Sequence, residues 1–200
     1  MNQLSGSLHA FRNRIESFAQ KPYAIGALFL IAFIESSLFP VPPDILLVAL
    51  GISNPRRSFL YAGVCIAGSV SGAFLGYYIG NALFETVGSS ILEFSGASAE
   101  FQIVLDKFRQ NAWLTLLVAG FTPVPFMVFT IAAGFKQTLD PVTLGLATLV
   151  GRTVRFFLVG AFLYFFGATM KEYIGRSLER VTLALGVLFV AGIILFKWVF

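Results

Sequence analysis

The sequence predicts an all-α integral membrane protein with two inverted repeats, each a re-entrant hairpin followed by a transmembrane helix. The composition is the first observation, because 57% of the 200 residues are hydrophobic and only 12% are charged, whereas soluble domains carry about 25% charged residues. The second is a series of five long apolar stretches. The third is a Pro-Val-Pro sequence that interrupts two of those stretches in the middle.

In chain order, the sequence divides into five parts of a single membrane domain. Residues 1–22 carry apolar side chains at helical spacing and predict an amphipathic surface helix. A C-terminal transmembrane helix is predicted to close the chain after a charged connector. The five parts are the N-terminal amphipathic helix 1–22, the first hairpin–helix repeat 23–80, an amphipathic outer-face connector 81–111, the second repeat 112–167, and the connector and last helix 168–200.

The prolines break the apolar stretches 23–51 and 112–135. Proline removes a backbone donor and clashes with the preceding helical turn, so a helix does not run straight through. Irregular backbone at membrane depth is tolerated only inside protein or beside a wet cavity. Both stretches are therefore expected to be re-entrant hairpins, or broken helices, whose tips meet in the interior. The breaks lie at Pro40, Pro42 and Pro43 in the first stretch and at Pro123 and Pro125 in the second.

The two broken stretches resemble copies of one unit offset by 83 residues. Gly51 follows Pro40 by eleven residues, and Gly134 follows Pro123 by the same distance. If each hairpin returns to its own side, a single crossing separates the copies, and the second unit is inverted. Inverted repeats with broken helices are typical of transporters.

Lysine and arginine indicate an N-terminus in the cytoplasm, because cytoplasmic loops carry an excess of both. With re-entrant hairpins, eight of them fall inside and four outside; full crossings give the same ratio, so the count does not distinguish the two architectures. The inner set is Arg12, Arg14, Lys21, Arg56, Arg57, Lys171, Arg176 and Arg180, and the outer set is Lys107, Arg109, Lys136 and Lys197.

Four charged residues lie inside apolar stretches: Glu35, Asp44, Arg152 and Arg155. Each costs at least about 2.5–3.5 kcal/mol at the bilayer centre, and such residues usually face the interior and mark a pathway. The arginines are suited to bind an anionic group such as a lipid phosphate, and the acids to bind and release protons. The alternative is two structural ion pairs that fix the helix register.

Glycines recur at every fourth residue between residues 68 and 80. Small residues let helices approach closely, so this ladder predicts packing against a neighbouring segment, with a homodimer interface or a sliding surface as the alternatives. Its members are Gly68, Gly72, Gly76 and Gly80.

The chain has one cysteine, Cys65, and one histidine, His9. Neither a metal site nor a cofactor is expected, and the missing Ser–His and Cys–His sets argue against an enzyme. The net charge of +4 is too small and dispersed to predict nucleic-acid binding.

The motifs resemble those of the DedA family of SNARE-associated, or VTT-domain, membrane proteins. The residues that carry the resemblance are Ile34-Glu35-Ser36-Ser37-Leu38-Phe39-Pro40-Val41-Pro42-Pro43-Asp44, the run Gly76-Tyr77-Tyr78, and Gly120-Phe121-Thr122-Pro123-Val124-Pro125 with Ala132-Ala133-Gly134. Many members have arginines where this chain has Gly120 and Phe126. Arg152 and Arg155 take their place, as in the YqaA-like branch.

The resemblance implies a bacterial inner-membrane protein that moves or scrambles lipids, with protons or sodium as coupling ion. It assigns the acidic roles to Glu35 and Asp44. A lipid flippase is the leading hypothesis, a small-solute or ion transporter is the second, and a non-transporting membrane scaffold is the third.

Overall fold

A computed structural model describes residues 21, 23–119 and 125–174. The predicted N-terminal amphipathic helix, the last transmembrane stretch and Pro123 lie outside these described residues. Within them every regular element is helical and no strand occurs, as the sequence predicts. The seven α-helices are α1 (Tyr23–Glu35), α2 (Asp44–Ser53), α3 (Ser58–Ala82), α4 (Ser89–Ser95), α5 (Ser98–Ala119), α6 (Phe126–Gly134) and α7 (Pro141–Ile174).

The first proline cluster separates α1 from α2. Helix α1 ends at Glu35, and the backbone N–H groups of Ser37, Leu38 and Phe39 close its last turn on the carbonyl of Ile34. Pro43 then precedes α2, which begins at Asp44. Two short helices therefore occupy an apolar stretch that would otherwise suit one spanning helix.

Two segments of the described chain are long and apolar enough to cross a membrane: Pro55–Ala82, with 28 residues, and Pro141–Thr169, with 29. The first contains α3 and the second lies within α7. Their contacts run in opposite order, because Gly160 lies against Ala62 while Gly145 lies against the ring of Phe74. Helices α3 and α7 are therefore antiparallel.

The short helices α1 and α2 each run parallel to one of the long helices. Helix α1 runs parallel to α3, because a methyl group on Gly68 would lie 2.5 Å from the Phe29 carbonyl oxygen, and Gly72 contacts Phe33 one turn later. Helix α2 runs parallel to α7: Asp44 bonds Arg155, and Gly51 lies beside Leu163, eight residues further along α7.

Helix α6 packs across the C-terminal half of α3. The backbone of Gly80 contacts the carbonyl of Ile131, and Gly76 contacts the side chain of Thr130. On α6, Gly134 lies against the carbonyl of Tyr77 on α3. These close backbone approaches are possible because the residues at the crossing have no Cβ.

The connector 81–111 differs from the single surface helix predicted for it. A π-helical turn at Phe84–Gly88 leads into α4. Gly96 follows the last residue of α4 with φ 69°, the left-handed conformation that glycine adopts readily. Helix α5 continues past the expected boundary at residue 111, with a kink at Asn111. The Asn111 side chain accepts a hydrogen bond from the Leu114 backbone at 3.0 Å and so restarts the helix.

The apolar face of α5 points into the protein. Its members are buried against a cluster in which the ring centroids of Phe84 and Phe135 lie 4.4 Å apart and that of Phe101 lies 5.6 Å from Phe135. The pattern predicts a helix here, and the apolar face of this helix covers the end of α6. The buried face consists of Phe101, Val104, Leu105 and Phe108.

Helix α7 is longer than the stretch 143–167 predicted from hydropathy. It begins at Pro141 and runs to Ile174, into the connector that was expected to start at residue 168. Nothing between Gly167 and Ile174 is a proline, so no residue forces the helix to stop where the hydrophobicity declines.

Candidate functional site

The four charged residues inside the apolar stretches meet as two ion pairs. Arg152 Nη2 donates to Glu35 Oε2 at 2.8 Å, and Arg155 Nη2 donates to Asp44 Oδ2 at 2.6 Å. Both carboxylates flank the first proline cluster and both guanidinium groups project from α7. The tertiary fold thus joins residues that are 117 and 111 positions apart in the chain.

The Glu35 carboxylate uses both of its oxygens. Oε2 accepts from Arg152 and from the Ser36 hydroxyl, which lies 3.1 Å away. Oε1 accepts from the backbone N–H of Phe126 at 3.2 Å. Phe126 is the first residue of α6, where unpaired N–H groups and the helix dipole favour a negative charge. Glu35 therefore holds α1, α6 and α7 together at one point.

Arg152 is almost completely enclosed, with 1% of its side chain exposed. Its guanidinium carbon lies 3.9 Å from the ring centroid of Phe126 and 5.6 Å from that of Phe156. Aromatic faces attract a cation, and more strongly where water is excluded. Phe126 thus contacts the first ion pair twice, through its backbone to Glu35 and through its ring to Arg152.

The second ion pair is more accessible. The side chains of Asp44 and Arg155 are each 28% exposed, compared with 11% for Glu35 and 1% for Arg152. Asp44 is the first residue of α2, where an acidic side chain is favoured by the helix dipole. Its carboxylate also accepts from Arg155.

Hydroxyl groups connect the first break to α6. The Thr130 hydroxyl, on α6, donates to the carbonyl oxygen of Ser36 at 2.9 Å. The Ser37 hydroxyl donates back to the carbonyl of Phe33 at 2.7 Å. Carbonyl oxygens freed by the end of α1 are thereby bonded inside the protein rather than exposed to lipid.

No family model matches the chain, and no solved structure matches it. A protein of Haemophilus influenzae is 31% identical over 176 residues, which cover 88% of this chain and 90% of that protein. The chain belongs to the family of this Haemophilus influenzae protein. A Histophilus somni homologue is 27% identical over 164 residues, covering 82% of this chain and 85% of its own. Both are named as uncharacterized proteins, so the function of this family member is argued from its site.

All four charged residues proposed from the sequence lie at this site. They form two ion pairs, as the alternative interpretation expects, but the sequence does not predict which acid meets which arginine. From the sequence, Phe126 is notable only as a departure from the DedA pattern. A local signal was available, since the residue after Pro125 begins a helix whose first N–H groups have no partner within it. The proposed glycines lie elsewhere, at the contacts of α3 with α1 and α6.

Cys65 is fully buried and belongs to an apolar cluster that includes Leu47 and Phe156. Among the described residues, no three His, Cys, Asp or Glu side chains come together in a group that could hold a metal ion.

Proposed function

We propose that this protein is a membrane lipid transporter of DedA type, which moves an anionic or zwitterionic headgroup past the two ion pairs. The observation that carries the proposal is the Asp44–Arg155 pair. It is a charged site inside an apolar helical bundle, and it remains 28% exposed on both side chains. A guanidinium group in such a place binds phosphate by bidentate, charge-assisted hydrogen bonds.

The directions of the helices support a re-entrant first hairpin. Helix α1 is parallel to α3, α3 is antiparallel to α7, and α7 is parallel to α2. It follows that α1 and α2 run in opposite directions. Helix α1 has 13 residues, about 20 Å in length, which is short of the roughly 30 Å hydrocarbon core. A chain that enters along α1 and leaves along α2 returns to the side from which it came.

In each unit, the short helix after the break packs on the long helix of the other unit, and this supports the inverted repeat. Gly51 of α2 packs against Leu163 of α7, and Gly134 of α6 packs against Tyr77 of α3. The two contacting glycines, Gly51 and Gly134, are 83 positions apart in the chain. An inverted pair of units would leave the polar site between them near the middle of the bilayer.

The two ion pairs are suited to different tasks in transport. The enclosed Glu35–Arg152 pair holds three helices in register. The accessible Asp44–Arg155 pair exchanges partners: a phosphate replaces the carboxylate on Arg155, and Asp44 then takes a proton or pairs with the amine of a zwitterionic headgroup. Departure of the headgroup restores the original pair. We place this cycle in the inner membrane of a bacterium, with the N-terminus in the cytoplasm.

A non-transporting scaffold is the second candidate, and one observation favours it. Each of the four charges already has an oppositely charged partner within hydrogen-bond distance. Ion pairs of this kind fix helix register without binding anything else.

Flux in reconstituted vesicles separates the two candidates. The double variant Asp44→Asn/Arg155→Gln keeps the shapes of both side chains but removes the charges. The matched control, Asp106→Asn/Arg109→Gln, neutralises an exposed ion pair with a 3.3 Å separation. We expect the site variant to lose translocation of a fluorescent phospholipid while its unfolding midpoint stays near wild type, and the control to retain flux.

Unchanged lipid flux in a folded site variant would reject the transport proposal and favour the scaffold. The same vesicles are tested for uptake of a water-soluble phosphate ester. Uptake of that ester without lipid translocation would instead identify the small-solute transporter.

A further inference from the structure

Among the described residues, five buried side-chain polar atoms have no hydrogen-bond partner: Ser58 Oγ, Glu100 Oε2, Ser69 Oγ, Thr148 Oγ1 and Arg152 Nε. The last three lie away from the helix ends, on α3 and α7. Ser69 is 0% exposed, and Thr148 and Arg152 are each 1% exposed. Buried polar groups in folded proteins are almost always bonded to protein or to ordered water. Arg152 Nε is the third nitrogen of a guanidinium group that already bonds Glu35 through Nη2.

Helix register places the three residues within about one turn of one another along the bundle. Thr148 and Arg152 are four residues apart, which places them one turn apart on the same face of α7. On α3, Ala62 lies against Gly160 and Phe74 lies against Gly145. Because the two helices are antiparallel, the level of Ser69 on α3 falls between these contacts, near residue 151 of α7.

We propose that Ser69, Thr148 and Arg152 Nε bind an internal water molecule between α3 and α7. Water accepts from the Nε–H group and exchanges hydrogen bonds with the two hydroxyls, and a buried water typically has about three such partners. A small anion is a poorer occupant, because Glu35 already neutralises Arg152, and that guanidinium group is only 1% exposed. An anion there would add an unbalanced buried charge.

The bound water gives Arg152 a second polar partner that is independent of Glu35. A guanidinium group in an apolar bundle is costly when it has no partner. With this water, two of the three guanidinium nitrogens have polar partners: Nη2 bonds Glu35 and Nε bonds the water. The inference concerns hydration of α3 and α7 and does not depend on whether the protein transports lipid.

Water-edited solid-state NMR of the full chain in lipid bilayers tests the site. We expect magnetisation to pass from water to the Thr148 side chain and Arg152 Nε several-fold faster than to Thr130. Thr130 is the matched control, because its hydroxyl is equally buried but bonds to Ser36 and Met127. Transfer to Thr148 and Arg152 Nε as slow as transfer to Thr130 would overturn the proposal.

Two variants provide a second measurement. Thr148→Val removes the hydroxyl but keeps the shape, so it should slow transfer to Arg152 Nε and lower the unfolding midpoint. Thr130→Val should lower the midpoint without slowing that transfer. If the Thr148 hydroxyl were truly unpartnered, its removal would instead raise the midpoint, which contradicts the water site. Should Thr148→Val fail to fold, Ser69→Ala makes a smaller change with the same expected direction.

Discussion

The carboxylate of Glu35 accepts a hydrogen bond from the backbone N–H of Phe126 at 3.2 Å. The last residue of α1 therefore bonds the first residue of α6, although the two are 91 positions apart in the chain. The same carboxylate bonds Arg152 of α7 at 2.8 Å. One side chain thus joins both broken stretches to a long helix. Its loss should affect the bundle more than the loss of any charge at the surface.

Glu35→Gln should destabilise the fold by about 3–5 kcal/mol, because it leaves the buried Arg152 without its counter-charge. Chemical unfolding of the purified protein in lipid nanodiscs, followed by circular dichroism, measures the difference. Glu93→Gln is the control, since Glu93 is exposed on α4, and it should leave the unfolding curve unchanged. Equal curves for the two variants would mean that the Glu35–Arg152 pair contributes little to stability.

Gly72→Ala should also destabilise the protein, by about 1–3 kcal/mol, because overpacking a tight contact moves backbone. The added methyl group would collide with the carbonyl of Phe33 on α1. Gly63→Ala is a control on the same helix, since a methyl group there meets nothing within 4 Å. That change should be neutral or stabilise by about 0.5–1 kcal/mol through helix propensity. Thermal unfolding of both variants in one lipid mixture compares them, and similar losses would show that α1 does not press on α3.

Local sequence predicts much of the fold. The break after Glu35 is predictable because proline cannot continue a helix, and α3 is predictable from its uninterrupted hydropathy. The kink at Asn111 is harder to foresee, because asparagine tolerates both a helix interior and a cap. The same holds for the end of α7, where no proline marks a boundary.

The site is predictable as a set of residues but not as a geometry. Charges in apolar stretches are costly, so Asp44 and Arg155 could be selected from sequence alone. Which acid meets which arginine depends on how α1 and α2 pack against α7, and no local pattern encodes that. The role of Phe126 depends on the same packing, because its ring and its N–H act on partners from two other helices.

Asp140 should make the stability of α7 dependent on pH. Its Oδ1 accepts the Thr143 backbone N–H at 2.9 Å, just before Pro141 begins the helix. The hydrogen bonds from Thr143 lower the pKa of the Asp140 carboxyl below its ordinary value of 3.8. A lowered pKa in the folded state means that the ionised carboxylate stabilises the fold above about pH 4, and that this contribution is lost as the pH falls through the folded-state value.

Asp140→Asn removes this titration, because asparagine still caps a helix but carries no charge. We expect the wild-type unfolding midpoint to exceed that of the variant near neutral pH, and the difference to shrink below about pH 4. Thermal scans of both proteins across that range provide the measurement. A difference that stays constant down to the lowest pH would show that Asp140 does not titrate with folding.

Thiol labelling decides whether the second broken stretch returns or crosses, independently of which way the protein is inserted. Replacing the single native cysteine by Cys65→Ala leaves a background for Asn54→Cys, Gln102→Cys and Gln137→Cys, all at exposed positions. If the second stretch returns, one crossing along α3 separates Asn54 from Gln102, and no crossing separates Gln102 from Gln137. A membrane-impermeant maleimide should then label Gln102→Cys and Gln137→Cys from one face and Asn54→Cys from the other. If the second stretch spans the bilayer, Gln102→Cys and Gln137→Cys will react from opposite faces, and the inverted repeat is wrong.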